Sequence, residues 1–420
     1  MLQYLLLLCA FAVPGICALA VPVIEATAED PKCLDITHCR TLWNIVWTCF
    51  VTVFACIWVS IHRNVVLDSE SAVDAFLDRL RIAALTILVP EYTLAWAVRQ
   101  WIVARQLSEE FSEISRKFQA VFPPDARVDS SWTVTHGFFV LMGGFYYTDG
   151  HPVSREDLEV IIRTRPFEPP DDLDIKGRSK SDAFSKTVTI LQTAWFAIQC
   201  TARAIQYLPI TNLEIATLAY AAMTVQMNLF WINKPLNVSL PIRLEQVPGP
   251  EFQRIETLST TEEVEEGWRA RIEPFIKAMV GTQDDEVHLS ELSQVPTLYS
   301  GKPEEHQAHL ANAIAMAVGM IFGAVHCFAW SFAFPSQAEK LLWRISAVTT
   351  VVIPLFYCVL VVLIAMEVNL GKPVMILSAV AIPFYLMARA VLLVLTFTTL
   401  RNLPPAAYEA IHWMTFIPHV

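Results

Sequence analysis

Seven stretches of this chain are apolar and long enough to cross a hydrocarbon core as helices: Leu42 to Ile61, Leu80 to Val103, Ser185 to Tyr207, Asn212 to Ile232, His309 to Phe334, Ile345 to Glu367 and Val374 to Leu400. A core of about 30 Å takes about 20 helical residues, and backbone in lipid must satisfy its own hydrogen bonds. The fold class that follows is all-α, a polytopic transmembrane helix bundle of about seven spans. Only 17% of the 420 residues are charged, against about 25% in a typical soluble chain, which points the same way. The formal charge of −11 does not imply a basic partner, because much of it sits after residue 244, in Glu262, Glu263, Glu265 and Glu266 among others. No basic patch interleaved with aromatics and no Gly-rich phosphate loop occurs, so no nucleic acid is expected as a partner. The expected partners are the lipid bilayer and a small-molecule solute or lipid-like substrate.

Residues 1–20 join a leucine-rich core to Cys17-Ala18-Leu19-Ala20, a small-x-small ending that reads as a cleaved signal peptide; an uncleaved anchor is the alternative, since no Lys or Arg precedes the core. Cleavage makes residues 21–41 a lumenal segment, where Cys33 and Cys39 are predicted to form a disulfide, with two free thiols as the plainer alternative. Cys49, Cys56, Cys200, Cys327 and Cys358 fall within spans and read as small buried apolar residues. The protein is expected in a membrane of the secretory pathway: endoplasmic reticulum, plasma membrane or vacuole.

Spans one and two cover 42–103, spans three and four 185–232, and spans five to seven 309–400, followed by a tail at 401–420. The two long intervening regions, 104–184 and 233–308, hold the extramembrane structure. In the first, Leu107, Phe111, Ile114, Phe118 and Val121 have helical spacing, and Ser154 with Asp157 resembles a capping box. In the second, Val264, Trp268, Ile272, Ile276 and Met279 mark an amphipathic helix stopped by Gly281. The apolar segment Trp132 to Tyr147 is short for a span and reads as re-entrant or interfacial. Without it, seven spans put both long regions in the lumen; if it crosses, 149–184 and 233–308 are cytosolic. Arg63, Arg79, Arg81, Lys340, Arg344 and Arg401 favour the first arrangement, and Lys176, Arg178, Lys180 and Lys186 the second.

Function must be sought in the polar groups carried into lipid. Ser185, Thr189, Gln192, Gln199, Arg203 and Gln206 make a stripe along one helical face, and further stripes run through Glu214, Thr217, Thr224 and Asn228, and through Ser378, Tyr385, Arg389 and Thr396. Within the spans Glu91, Glu214 and Glu367 balance Arg99, Arg203 and Arg389, with His326 in the fifth. Glu91, Arg203, His326 and Arg389, with Gln192 and Gln199, are the candidate polar pathway. Arg99, Glu214 and Glu367 are peripheral charge partners, close enough to helix ends to snorkel. The competing reading makes these charges interhelical glue, and His326 alone reads as a packing residue. Pro90, Pro354 and Pro383 free the carbonyls of Thr86, Thr350 and Ala379, while Ala311, Ala315, Gly319, Gly323 and Cys327 form a small-residue packing face.

Enzyme signatures are weak. His306 and His309 lack an HExxH context, Asp171, Asp172, Asp174 and Asp182 match no Mg²⁺ pattern, and no GxSxG elbow occurs, so no catalytic residue, cofactor or metal is assigned. A seven-span receptor is disfavoured by Ile382-Pro383-Phe384-Tyr385 where an Asn-Pro signature would sit. The expected function is a transporter or channel-like protein for a small polar or ionic solute; the alternative is a membrane-embedded enzyme acting on a lipid-like or isoprenoid substrate.

Across nearly the whole mature chain run Trp47-Thr48-Cys49, His62 with Asn64-Val65, Pro90-Glu91, Arg99-Gln100, and Trp132 followed by His136-Gly137-Phe138-Phe139 and Met142-Gly143-Gly144-Phe145. Ser185-Lys186, Trp195-Phe196, Leu213-Glu214, Arg401-Asn402-Leu403-Pro404 and Phe416-Ile417-Pro418-His419 follow. As a set these resemble a large family of uncharacterised fungal multi-pass integral membrane proteins. The resemblance implies an architecture and a fungal source, and it transfers no catalytic residue.

Overall fold

A computed structural model describes residues 39–65, 71–119, 131–179, 182–236, 240–245, 283–368 and 371–411, with 238, 277 and 281. The leader, Cys33 and the helix expected over Val264 to Met279 lie outside the described residues. The elements are α1 (Leu42–Ser60), α2 (Ala72–Leu88), α3 (Pro90–Gln119), α4 (Val134–Leu141), β1 (Phe145–Tyr147), α5 (Arg155–Thr164), α6 (Asp172–Gly177), α7 (Asp182–Ile205), α8 (Asn212–Phe230), β2 (Ile242–Leu244), α9 (Gln283–Glu286), α10 (Glu305–Cys327), α11 (Gln337–Ala365) and α12 (Lys372–Thr398). Helix dominates, as the apolar segments require.

Among the described residues four helices are long and apolar enough to cross a membrane, at Leu42–Ser60, Glu305–Ser331, Gln337–Ala365 and Lys372–Asn402; the α2/α3 pair makes a fifth if counted as one span. The seven expected spans are therefore reduced. α7 and α8 form where spans three and four were expected, but their polar stripes keep them out of that group. The expected single span Leu80 to Val103 is corrected to two helices bent by 112°. Pro90 explains the break, since it lacks an N–H and crowds the preceding turn, yet suits the first position of a new helix. Val89 leaves helical geometry at φ −140° and ψ 70°, and α3 then runs on well past Val103.

The two long polar regions fold together on the second half of α3. Leu107, Phe111 and Ile114, the expected apolar face, pack with Trp132, Phe138, Phe139, Leu158, Ile161, Trp231 and Val238 in one buried cluster. The segment Trp132 to Tyr147, expected as a re-entrant or interfacial piece, is buried in that core as α4 and β1. Gly137 permits the contact, because a Cβ there would lie 1.9 Å from the Ala104 carbonyl oxygen. β1 pairs in parallel with β2, Phe145 opposite Ile242, and so staples the first region to the second. The Ser154 and Asp157 capping box forms at α5, each side chain accepting from the other's backbone N–H, at 3.1 and 3.2 Å.

In the bundle, α10 runs antiparallel to α11 and α3. Its small-residue face does the expected packing: Gly323 lies against the Thr350 carbonyl, the one Pro354 releases, and Gly319 lies against Glu91. The ends of the described chain meet, with the Arg40 N–H donating to the Tyr408 carbonyl at 2.7 Å and Cys39 bridging Glu409 in antiparallel fashion. Cys39 is disulfide-bonded, its partner lying outside the described residues.

Candidate functional site

The helix break organises the first polar group. Because α2 stops at Leu88, its last carbonyls lack intrahelical partners. Tyr220 Oη donates to Ile87 O at 2.5 Å and Arg389 Nε to Leu88 O at 2.9 Å, while the guanidinium carbon lies 3.9 Å from the Phe322 ring centroid. Glu91, in the first turn of α3, accepts from Tyr385 Oη at 2.5 Å, and its Oε2 is buried with no hydrogen-bond partner. Glu91 and Arg389 thus fall into one group with Tyr385 and Tyr220. His326 adjoins this group through Phe322: its Nδ1–H donates to Phe322 O at 2.9 Å and its ring packs between Phe322 and Trp343. That is a packing histidine.

Arg203 belongs elsewhere, which corrects the single pathway drawn through it and Glu91. Its guanidinium donates to the carbonyls of Pro209, Glu409 and Ala407 at 2.8, 2.7 and 3.2 Å, tying the chain's end to the α7–α8 turn. Glu214 pairs beside it with Arg40 and accepts from the Thr211 N–H at 2.8 Å. Glu214 and Arg99 do not snorkel; they are 4% and 1% exposed. Arg99 is covered because α3 continues into the polar-region core, where it donates to Ser300 Oγ at 3.2 Å and faces Asp284. Glu367, the third peripheral charge, sits exposed just beyond α11.

The stripe on α7 meets a polar face of α1 that the sequence reading passed over. Gln192 Nε2 donates to Thr52 Oγ1 at 3.0 Å, and Cys56 Sγ lies 3.4 Å from Thr193 Oγ1. On its other side α1 meets the α8 stripe, Cys49 reaching Thr217 and Cys56 reaching Thr224. These registers, antiparallel with α7 and parallel with α8, bring Ser60, Thr189 and Asn228 to one level. Ser60 Oγ, Thr189 Oγ1 and Asn228 Oδ1 are all buried there without a hydrogen-bond partner. Gln199, further along α7, is half-buried. The four-residue spacing of Thr48, Thr52, Cys56 and Ser60 is the sequence signal for this face.

Just past α8 lies a buried amine. Lys234 Nζ donates to the His62 carbonyl, to Gln100 Oε1 at 2.8 Å and to Asn64 Oδ1 at 3.4 Å, and sits 4.8 and 5.1 Å from the Trp96 and Trp231 ring centroids. Burial pulls its pKa well below the usual lysine value. Burial, with Lys186 next, also lowers the pKa of His62, whose Nδ1–H donates to Ser60 O at 2.9 Å and whose Nε2 is buried and unpartnered. Nothing in the sequence marks Lys234, a lone lysine after the fourth apolar segment.

Among the described residues no three His, Cys, Asp or Glu side chains gather as a metal-binding set. Asp172 accepts from Thr133 Oγ1 at 2.8 Å, and His306 and His309 lie beside Glu304 and Glu305.

Fold and site together define a helical protein with, among the described residues, four or five helices able to span a membrane, whose polar groups fall into a braced helix break, a terminal clamp and a three-helix polar column. The chain belongs to a family of unknown function, DUF8562, whose model matches residues 18–271. That match takes in the column, Lys234 and the helix break, but not His326 or Arg389. No curated protein and no solved structure matches the chain.

Proposed function

We propose that this protein is a membrane-embedded transporter or channel-like protein for a small polar or ionic solute, with the column between α1, α7 and α8 as its path. The observation that supports this is that Ser60 Oγ, Thr189 Oγ1 and Asn228 Oδ1, one from each helix and at about the same level, are each buried without a hydrogen-bond partner. A dry, packed interface rarely leaves such atoms, since each costs on the order of 1–3 kcal/mol. Water or solute in the column removes that cost. In this reading Arg203, Glu214, Arg389 and His326 brace the scaffold, and Glu91 keeps a free carboxylate oxygen at a broken helix, a setting transporters use for coupling.

The same reading replaces seven spans by six crossings, α1, α7, α8, α10, α11 and α12, and one re-entrant pair. α2 and α3 both return to the 297–300 segment: Asp78 accepts from Thr297 Oγ1 and Arg99 donates to Ser300 Oγ. Residues 39–40 pair with 408–409, which calls for an even number of crossings. The Cys39 disulfide favours an oxidising side for the termini, which puts both long polar regions in the cytosol with Lys176, Arg178 and Lys186. The cleaved leader, secretory compartment and fungal source rest on the first 20 residues and the family resemblance.

Proteoliposomes tested separately with K⁺, Cl⁻, ammonium and glycerol should show protein-dependent flux of at least one probe. Asn228→Leu combined with Thr189→Val should largely abolish it without lowering thermal stability. Flux of none of the four, or flux untouched by the double variant, overturns the reading.

A further inference from the structure

A cavity of about 320 Å³ opens where the start of α2 meets the 294–297 segment, lined by Arg63, Asp74, Asp78, Arg81, Gln294 and Thr297 among others. Two of its four charges are already matched. Arg63 Nη2 lies 2.8 Å from Asp78 Oδ2, Arg63 Nη1 donates to Ala75 O at 2.8 Å, and Thr297 Oγ1 donates to Asp78 at 3.1 Å. Asp74 and Arg81 have no hydrogen bond or ion pair among the described residues. They stand seven residues apart, about 10.5 Å along the helix axis, beyond the spacing at which helix neighbours pair.

The cavity thus offers one unmatched anion and one unmatched cation, facing the same space from two turns of one helix. A simple anion would answer Arg81 and leave Asp74 opposed. A group carrying a phosphate and an ammonium on a short linker answers both.

The flank supplies the rest of the ligand. Val73, Phe76, Leu77 and Leu80 are exposed on the adjacent face of α2, and Leu77 also lines the cavity. Arg79 lies 4.7 Å over the Trp58 ring and donates to the Trp58 carbonyl at 2.7 Å, the kind of aromatic and cation pair found where spans meet water. A polar cavity beside an exposed apolar helix face at that level suits an amphiphile.

We propose that this cavity binds the head group of a zwitterionic aminophospholipid, Arg81 taking the phosphate, Asp74 accepting from the primary ammonium, and the acyl chains lying along Val73, Phe76 and Leu80. The inference rests on insertion of the protein in a membrane and not on transport. A choline head group carries no N–H for Asp74, so phosphatidylethanolamine is preferred over phosphatidylcholine.

The test is native mass spectrometry of the full chain released from nanodiscs holding equal phosphatidylethanolamine, phosphatidylcholine and phosphatidylglycerol. Retention of phosphatidylethanolamine should exceed that of the other two on the order of tenfold. Asp74→Asn and Arg81→Gln should each remove the preference while leaving thermal stability in lipid-free detergent unchanged. Equal retention of the three lipids, preference for the anionic lipid, or variants that keep the preference would overturn the proposal. Excess soluble phosphoethanolamine should fail to displace the lipid; full displacement would reassign the cavity to a free phosphoamine. None of these readouts depends on solute flux.

Discussion

Asp284 couples the polar-region core to pH. Its carboxyl is 1% exposed, and burial raises its pKa from 3.8 to about 6, against the opposing pull of Arg99 and the Ser300 N–H. The folded carboxyl therefore holds its proton more tightly than the unfolded one, so its stabilising contribution is full below about pH 3.8 and is lost as pH rises through about 6. A shift of about two units corresponds to something on the order of 3 kcal/mol. Asp284→Asn should flatten thermal stability across that window; a slope equal to wild type would mean Asp284 does not set it. Arg203 acts differently, as a fork across three carbonyls. Arg203→Ala should lower thermal stability by on the order of 1–3 kcal/mol per orphaned acceptor, and Arg203→Lys should recover only part, since an ammonium cannot span the fork. Protease protection of residues 403–411 would report the loss; unchanged protection would contradict the clamp. The sequence indicated that Arg203 is turned inward, because it lies on a polar stripe, but not its partners, which arrive from the far end of the chain.

At the scale of elements, the break at Val89 was half legible. Pro90 announced a freed carbonyl at Thr86 within one continuous span, whereas α2 ends outright and exposes the carbonyls of Ile87 and Leu88. Hydropathy has no sign for direction, so a helix that turns back reads as one that continues. Gly319 lets α10 approach the break: a Cβ there would lie 2.7 Å from Glu91 Cγ. Gly319→Ala should destabilise the bundle by on the order of 1–3 kcal/mol, the usual range for overpacking. Combined with Glu91→Ala the penalty should shrink, giving a coupling of on the order of 0.5–3 kcal/mol in a double-mutant cycle. Strict additivity would mean that the two residues do not share this contact. The stripes on α7 and α8 were readable from spacing, and so is the matching face of α1; that all three meet required their relative registers, which only packing supplies.

For the whole molecule, the all-α class and the two polar regions could be read from where apolar runs stop. The fold of those regions could not, since their core is assembled on α3 by residues as distant as Leu107, Phe138, Leu158 and Val238. The proposed six-crossing topology predicts that single-cysteine probes near Gln283 and near Ala406 label from opposite sides of the membrane, and labelling from one side would remove it. Central to the account is that the column between α1, α7 and α8 is wet, and native Cys56 reports on it directly. This free thiol is fully buried and lies between Thr193 on α7 and Thr224 on α8. Folded protein in nanodiscs, treated with a small water-soluble methanethiosulfonate and read by site-resolved mass spectrometry, should be modified at Cys56, and Asn228→Leu with Thr189→Val should slow that modification. If Cys56 reacts only after denaturation, the column is a dry helix interface and no solute passes along it.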